Sequence, residues 1–225
     1  MDREPYRDRR DAGRILAELV ARYRGTPGLL VLALPRGGLP VADEVARRLG
    51  ASLDILVVRK IGIPGQPEVA MGAMASVAGS IETVENDDVI RQLGTFGGDR
   101  TGFAEVAARE EIELRRRQRE YRAGHPALEL AGRTVILVDD GLATGATMRA
   151  AVQVVRQNDP LRVVVAVPVA LGNTELEMRQ VADDVVCPWS ATGLHAVGHA
   201  YEIFDQTTDD EVRAILEDAW DHPSP

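Results

Sequence analysis

Short apolar runs that break abruptly into polar or glycine-rich residues, each followed by apolar positions at helical spacing, recur along this chain. Residues 29–34 form one such run, stop at Pro35-Arg36-Gly37-Gly38, and lead into 39–49, where Val41, Val45 and Leu49 share one helical face. Residues 53–58 read as the next strand. A further run, 135–138, ends at Asp139 and Asp140 and passes through small and hydroxyl-bearing residues into a helix over 146–157. A strand at 162–167, a short helix at 174–181 and a last core strand at 184–187 continue the alternation. A first helix over 10–23 places Ile15, Leu16, Leu19 and Val20 on one side, with Asp8 or Asp11 as cap and Gly25 and Pro27 as stop; a final one over 208–220 does the same with Val212, Ile215, Leu216 and Ala219. Strand and helix in regular alternation predict an α/β fold: a doubly wound, mainly parallel sheet flanked by helices and joined by right-handed crossovers.

Between about 60 and 125 the pattern changes. Residues 61–69, with Gly62, Pro64, Gly65 and Pro67, read as a breaker-rich loop, and 71–84 alternates weakly, as one or two strands of a hairpin. The glycine-rich stretch 94–102 separates this from a long helix over 103–121. That helix has a narrow apolar seam of Ala107, Leu114 and Tyr121, with Glu105/Arg109, Glu111/Arg115 and Glu113/Arg117 at the favourable i,i+4 spacing. Arg115, Arg116, Arg117 and Arg119 read as a solvated face; the sharper alternative is a helix that lends an arginine to an active site or a dimer partner. One domain over 1–225 is expected, with an insertion at about 60–125, a hood and C-terminal helix over 188–225, and a frayed tail at 221–225.

Composition narrows the function classes. A chain of 225 residues with 45% apolar content can bury one good core. A net charge of −9 argues against non-specific binding to DNA or an anionic membrane, so an anionic ligand must be met locally by Arg, backbone amides and metal. No apolar stretch is long enough for a membrane span and residues 1–10 are polar, which predicts a cytoplasmic protein. Cys187 is the only cysteine, and among Val185, Val186 and Pro188 it reads as core filler.

Two strand–loop–helix edges carry the candidate chemistry. Ala143, Thr144, Gly145, Ala146 and Thr147 offer amides at a helix N-terminus, two hydroxyls, and a glycine that permits close approach, a set suited to a phosphate monoester. Asp139 and Asp140 would repel that phosphate. They suit what lies beside it: sugar hydroxyls or a hydrated Mg²⁺. A phosphate cup next to a diol-binding acidic pair describes a ribose 5-phosphate site, and the lysine-bearing P-loop motif is absent. At the other edge Gly37 and Gly38 expose amides, while Arg36 supplies a forked cation for phosphate oxygens. Lys60, the only lysine of an arginine-rich chain, ends the strand 53–58 and is a further candidate for pyrophosphate or substrate.

The segment from Asp139 to Thr147 behind its strand resembles the phosphoribosyl pyrophosphate (PRPP) signature of type I phosphoribosyltransferases, and Leu34-Pro35-Arg36-Gly37-Gly38 resembles the pyrophosphate loop of their bacterial xanthine-type members. The resemblance implies transfer of a 5-phosphoribosyl group between PRPP and a nitrogenous base, or a nucleoside monophosphate in reverse, with Mg²⁺ and a pyrophosphate leaving group. It also implies a mobile loop beginning at 61–69 that closes over the site, and a homodimer. Asp139 and Asp140 would hold ribose hydroxyls and metal, residues 143–147 the 5-phosphate, and Arg36, Gly37, Gly38 and Lys60 the pyrophosphate. Ala143 stands where 6-oxopurine enzymes carry a carboxylate, so no general base is named. The segment from Leu194 to Glu202 is similar to the base-binding hood of those enzymes but has Leu194 and His195 where they place a stacking aromatic ring, and Trp189, Tyr201 and Phe204 read as core. A PRPP- or nucleotide-sensing regulator without turnover is the alternative on the same fold.

Overall fold

The computed structural model describes residues 4–63, 66–77, 80–85 and 100–221. Residues 64–65 of the expected loop, most of the expected 94–102 break and the tail beyond 221 lie outside the described residues. The chain opens with α1 (Arg9–Leu19) and a 3-10 turn at Ala21–Tyr23, then β1 (Leu30–Ala33), α2 (Gly38–Leu49) and β2 (Ser52–Ile55). There follow β3 (Val58–Ile63), β4 (Gln66–Val77), β5 (Ser80–Glu85) and α3 (Arg100–Arg122). Then come β6 (Thr134–Val138), α4 (Ala146–Arg156), β7 (Arg162–Ala166), β8 (Val169–Leu171), α5 (Thr174–Met178), β9 (Asp184–Val186) and β10 (Trp189–Ala191). A 3-10 turn at Val197–Ala200 and α6 (Asp209–Asp221) complete it.

The main sheet runs β2-β1-β6-β7-β9, and every pairing in it is parallel. All of β1 and β6 is buried, as strands covered on both faces must be, and this explains their unbroken apolar runs. Val31, Ala33, Ile136 and Val138 pack with Leu16, Val41, Val45, Val212 and Leu216 of α1, α2 and α6 on one side. Leu30, Leu32, Val135 and Leu137 meet Met148, Ala151, Val152 and Val155 of α4 on the other. Each such Val, Leu, Ile or Met side chain removed from water stabilises the fold by about 1.5–3 kcal/mol. The first helix is capped by Asp8, whose side chain accepts from the Asp11 N–H, and α2 stops at Gly50 in the left-handed region (φ 63°).

The insertion differs from expectation. Residues 53–58 are not one strand: β2 ends at Ile55, and at Val58 the chain enters a separate three-stranded antiparallel sheet, β3-β4-β5. The 61–69 stretch is therefore largely strand rather than loop, because Ile61 is buried against Leu114 and Met74 and the register irregularity beside Gly62 absorbs the breaker as a bulge. The weak alternation at 71–77 also has a physical cause. Met71 and Met74 face the α3 side while Ala75 and Val77 face the α4 side, so both faces of β4 are covered. On α3, Arg115 and Arg117 pair with Glu111 and Glu113 at 2.8 Å, as a solvated charged face does, but Arg122 is buried against Asp54 (2.8 Å).

A small parallel pair, β8 and β10, carries the hood. Its core is Tyr6, Ala12, Val169, Ala191, Ala200 and Tyr201, with Trp189 and Val197 packed against it. Tyr6 bridges to Tyr201 and its hydroxyl donates to the Pro168 carbonyl at 2.8 Å. The N-terminal segment is thus part of the hood.

Candidate functional site

Because β1 pairs with β6 in register, Ala33 opposite Val138, the loops that leave their carboxyl ends share one edge of the sheet. The Leu34 N–H donates to the Val138 carbonyl at 2.9 Å and carries the pairing one residue further, and the Pro35–Arg36 peptide is cis. Gly37 and Gly38 then press on the acidic pair. A β-carbon on Gly37 would lie 2.1 Å from Asp140 Oδ2, and one on Gly38 would lie 2.7 Å from the Val138 carbonyl oxygen and 2.9 Å from the Asp139 Cα. At Gly38 the obstacle is backbone, which cannot yield, and at Gly37 it is the Asp140 carboxylate, which Arg9 holds in place. The Arg-Gly-Gly loop and the Asp-Asp turn form a single surface.

The two carboxylates are half-buried and held differently. Asp139 Oδ1 accepts the Asp140 N–H at 2.9 Å. Asp140 Oδ2 accepts Arg9 Nε at 2.9 Å, and the Tyr201 hydroxyl donates to the Asp140 carbonyl at 2.5 Å. Burial pushes both carboxyl groups above the ordinary carboxylate range; the neighbouring Asp140 pushes Asp139 further, whereas Arg9 opposes the shift at Asp140. Arg9 itself is fixed three ways: by Asp140, by the Asp205 carbonyl at 2.6 Å, and by the Phe204 ring 3.8 Å beneath its guanidinium. Phe204 stacks on Tyr201 at 5.0 Å; Tyr201 is buried in the hood core as expected, whereas Phe204 is exposed and not core, because its ring lies at the surface between Tyr201 and the Arg9 guanidinium.

Beyond the acids, Gly141 lies under Val169 and Val197, and Leu142 bonds to Val169 and Leu171, which stitches the turn to β8. Thr174 donates to the Ala143 and Leu171 carbonyls and backs the next loop. Gly145 takes φ 68°, with the Thr174 methyl where its side chain would go, and α4 begins at Ala146, so the first-turn N–H groups face away from any helical acceptor. Ala143, Thr144 and Thr147 are exposed and Gly145 is buried.

Arg36, half-exposed, reaches the first residue of α6: its Nη1 lies 3.6 Å from Asp209 Oδ1, which also accepts the Tyr121 hydroxyl at 2.7 Å. Lys60 lies within β3, opposite Ala73, rather than at the end of a main-sheet strand; the second sheet takes it there, and its neighbour Arg59 pairs with Glu110 of α3. Cys187 is a partly buried thiol that burial raises to about 11, consistent with filler.

Nothing in the sequence marks Arg9, Thr174 and Asp209 as site residues, and Tyr201 reads there only as core. Arg9 and Asp140 are 131 residues apart, so no local pattern links them. The one local signal is the Arg9-Arg10 pair at the start of α1, a pattern that by itself suggests a solvated helix end; in the structure Arg9 meets Asp140 and Arg10 donates to the buried Asp43 at 2.8 Å.

A parallel sheet whose adjacent strands deliver a glycine-rich loop and an acidic turn onto one edge defines an α/β protein with its candidate site beyond the carboxyl ends of the strands. The family model of the phosphoribosyl transferase domain matches residues 6–201, and the chain belongs to that family. It is 46% identical over 212 residues to a Mycobacterium tuberculosis protein provisionally named a phosphoribosyl transferase, an alignment that covers 94% of this chain and 46% of that one; the chain spans about half the length of this relative. The crystal structure of TT1426 from Thermus thermophilus is 45% identical, with a TM-score of 0.85 over 95% of this chain and 98% of that one. The bifunctional protein PyrR of the same species is 29% identical over 172 residues, 76% of this chain and 72% of its own. Among the described residues no helix is long and apolar enough to cross a membrane.

Proposed function

We propose that the chain is a phosphoribosyltransferase that exchanges a 5-phosphoribosyl group between PRPP and a nitrogenous base, with a nucleoside monophosphate as the nucleotide product. The observation that supports this best is the contact of Gly37 and Gly38 with Asp140 and Asp139, because it sets the Arg-Gly-Gly loop directly against the acidic pair, as a joint pyrophosphate and ribose site would require. Residues 143–147 hold the 5-phosphate by first-turn amides and the hydroxyls of Thr144 and Thr147. Asp139 and Asp140 take the ribose hydroxyls, and Arg36 with the amides of Gly37 and Gly38 takes the pyrophosphate. The base nitrogen attacks the anomeric carbon as the carbon–oxygen bond to pyrophosphate breaks. Positive charge grows on the ribose beside two carboxylates while negative charge grows beside Arg36, so rate comes from placement and electrostatics.

Mg²⁺ fits these residues. Among the described residues no group of three or more acidic, His or Cys side chains forms a cage, but this ion takes one or two carboxylates and completes its shell with phosphate oxygens and water. Asp139, the carboxylate not engaged by Arg9, is the natural protein ligand, with Asp140 beside it. When bound, the ion would neutralise pyrophosphate charge that Arg36 and a few amides cannot. PRPP is therefore expected to bind far more tightly with Mg²⁺ than with EDTA, whereas ribose 5-phosphate should bind alike in both. Arg36→Ala should repeat that pattern, harming PRPP and sparing ribose 5-phosphate; equal losses for the two ligands would remove Arg36 from the pyrophosphate.

Thr147→Val tests the phosphate loop. It keeps shape and removes one hydroxyl, and the expected loss in ribose 5-phosphate binding is about 1.5–3 kcal/mol for a bond to a charged acceptor. A much smaller loss in calorimetry would leave Thr147 as a mere helix residue. The reaction itself is tested by pyrophosphate release from PRPP with a panel of purine and pyrimidine bases.

A second reading, a PRPP- or nucleotide-sensing regulator, is favoured by two observations: the likeness to a bifunctional protein, and Ala143 in place of a loop carboxylate that could accept a proton. Tight PRPP binding without pyrophosphate release on any base would decide for it.

A further inference from the structure

Arg36 is not waiting free at the Arg-Gly-Gly loop. Its guanidinium sits 3.6 Å from a carboxylate oxygen of Asp209, too far for a good hydrogen bond but well inside ion-pair range, and both side chains are about one-third exposed (31% and 35%). Asp209, by contrast, is anchored. The same oxygen, Oδ1, accepts the Tyr121 hydroxyl at 2.7 Å, and burial together with Asp209 raises that phenol to about 12, so it stays a neutral donor at any physiological pH. The helix that carries Asp209 is fixed to α3 a turn away: Arg213 reaches Glu120 at 3.5 Å, and His125, just beyond α3, stacks on Trp220 at 4.1 Å. Arg117, the other cation near Tyr121, is engaged by Glu113 at 2.8 Å. A rigidly mounted carboxylate thus faces a guanidinium on a loop.

Resting on the assignment of Arg36 to pyrophosphate, we propose that Asp209 is a positioning residue that holds Arg36 in the ligand-free protein and competes with pyrophosphate for it. The carboxylate offers one anionic oxygen at a loose distance, whereas pyrophosphate offers several at hydrogen-bond distance, so Arg36 transfers to the ligand when it arrives and returns to Asp209 when it leaves. The competition lowers affinity for the pyrophosphate-bearing ligand and favours its release. Ligands without pyrophosphate do not feel it.

The test is calorimetric binding of PRPP with Mg²⁺, of Mg²⁺-pyrophosphate and of ribose 5-phosphate to wild type, Asp209→Asn, Arg36→Ala and the double variant. Asn keeps an oxygen for the Tyr121 hydroxyl, and the helix keeps its Thr208 cap, whose hydroxyl accepts the Glu211 N–H at 3.2 Å, so the fold is expected to be conserved. Asp209→Asn is expected to tighten PRPP and pyrophosphate by about twofold to fivefold, the scale of an exposed ion pair, to leave ribose 5-phosphate unchanged, and to have no effect on any ligand in the Arg36→Ala background. Tightening that persists without Arg36 would mean simple charge repulsion and overturn the proposal, as would unchanged or weaker PRPP binding in Asp209→Asn. If wild type binds neither PRPP nor pyrophosphate, the phosphoribosyltransferase reading fails and takes this one with it; if wild type binds both and the variant does not differ, only the competition fails.

Discussion

Arg9→Ala is expected to destabilise the protein by about 3 kcal/mol, the lower end of what removing one partner of a buried ion pair costs. The side chains of Arg9 and Asp140 are only 12% and 16% exposed, so the variant leaves Asp140 half-buried with no cation while its neighbour Asp139 still repels it. It also removes the hydrogen bond to the Asp205 carbonyl and the cation stacked on Phe204, which together tie the start of α1 to the hood. Urea unfolding of wild type and variant measures the loss. The control is Asp140→Asn in the Arg9→Ala background: a neutral amide in place of the orphaned carboxylate should recover part of the stability. If the loss stays below about 1 kcal/mol, the pair behaves as a surface salt bridge and does not hold the acidic turn.

Arg9 also marks the boundary of what the sequence made legible. The middle of the main sheet could be read because β1 and β6 are covered on both faces, which leaves unbroken apolar runs such as Val135 to Val138, and because each of these runs ends in a break, at Pro35 or Asp139. The two loops could be placed on one edge from the rule that parallel strands present their carboxyl ends together. The insertion was less legible. Gly62 and the prolines around it carry a loop signature, yet Ile61 is buried, and its partners Met74 and Leu114 are tertiary neighbours that local composition does not reveal. The supports of the site were not legible at all. Arg9, Tyr201 and Asp209 reach the loops from the first helix, the hood and the last helix, and contacts across 61 residues or more leave no spacing to detect. Tyr201 is separated from Asp140 by 61 residues and was read as core, which it is; that its hydroxyl also holds the Asp140 carbonyl follows only from the fold.

Asp139→Asn is expected to stabilise the ligand-free protein at neutral pH while weakening its binding of PRPP. In the native state burial and the adjacent Asp140 raise the Asp139 carboxyl well above its unfolded value, so between those two values the folded chain holds more protons than the unfolded one. Stability therefore falls as pH rises through that window, and above it the native protein carries the full cost of a buried charge beside a like one. Asn removes the charge and keeps an oxygen for the Asp140 N–H, so the variant gains stability that is largest at neutral pH and disappears as pH drops to where wild-type Asp139 is protonated. Asp140→Asn should show less of this, because Arg9 already offsets part of the burial there. Binding moves the opposite way. On the proposed role of Asp139 at the ribose hydroxyls and Mg²⁺, its loss should weaken PRPP by about 1.5–3 kcal/mol, roughly tenfold to a hundredfold, and replacing both residues should cost about 3 kcal/mol or more. Thermal unfolding from pH 4 to 8, with PRPP calorimetry at neutral pH, tests the pair of effects. A variant that is less stable at every pH would mean that the acidic turn is held by its charge; one that binds PRPP as wild type does would remove Asp139 from the ribose and the metal.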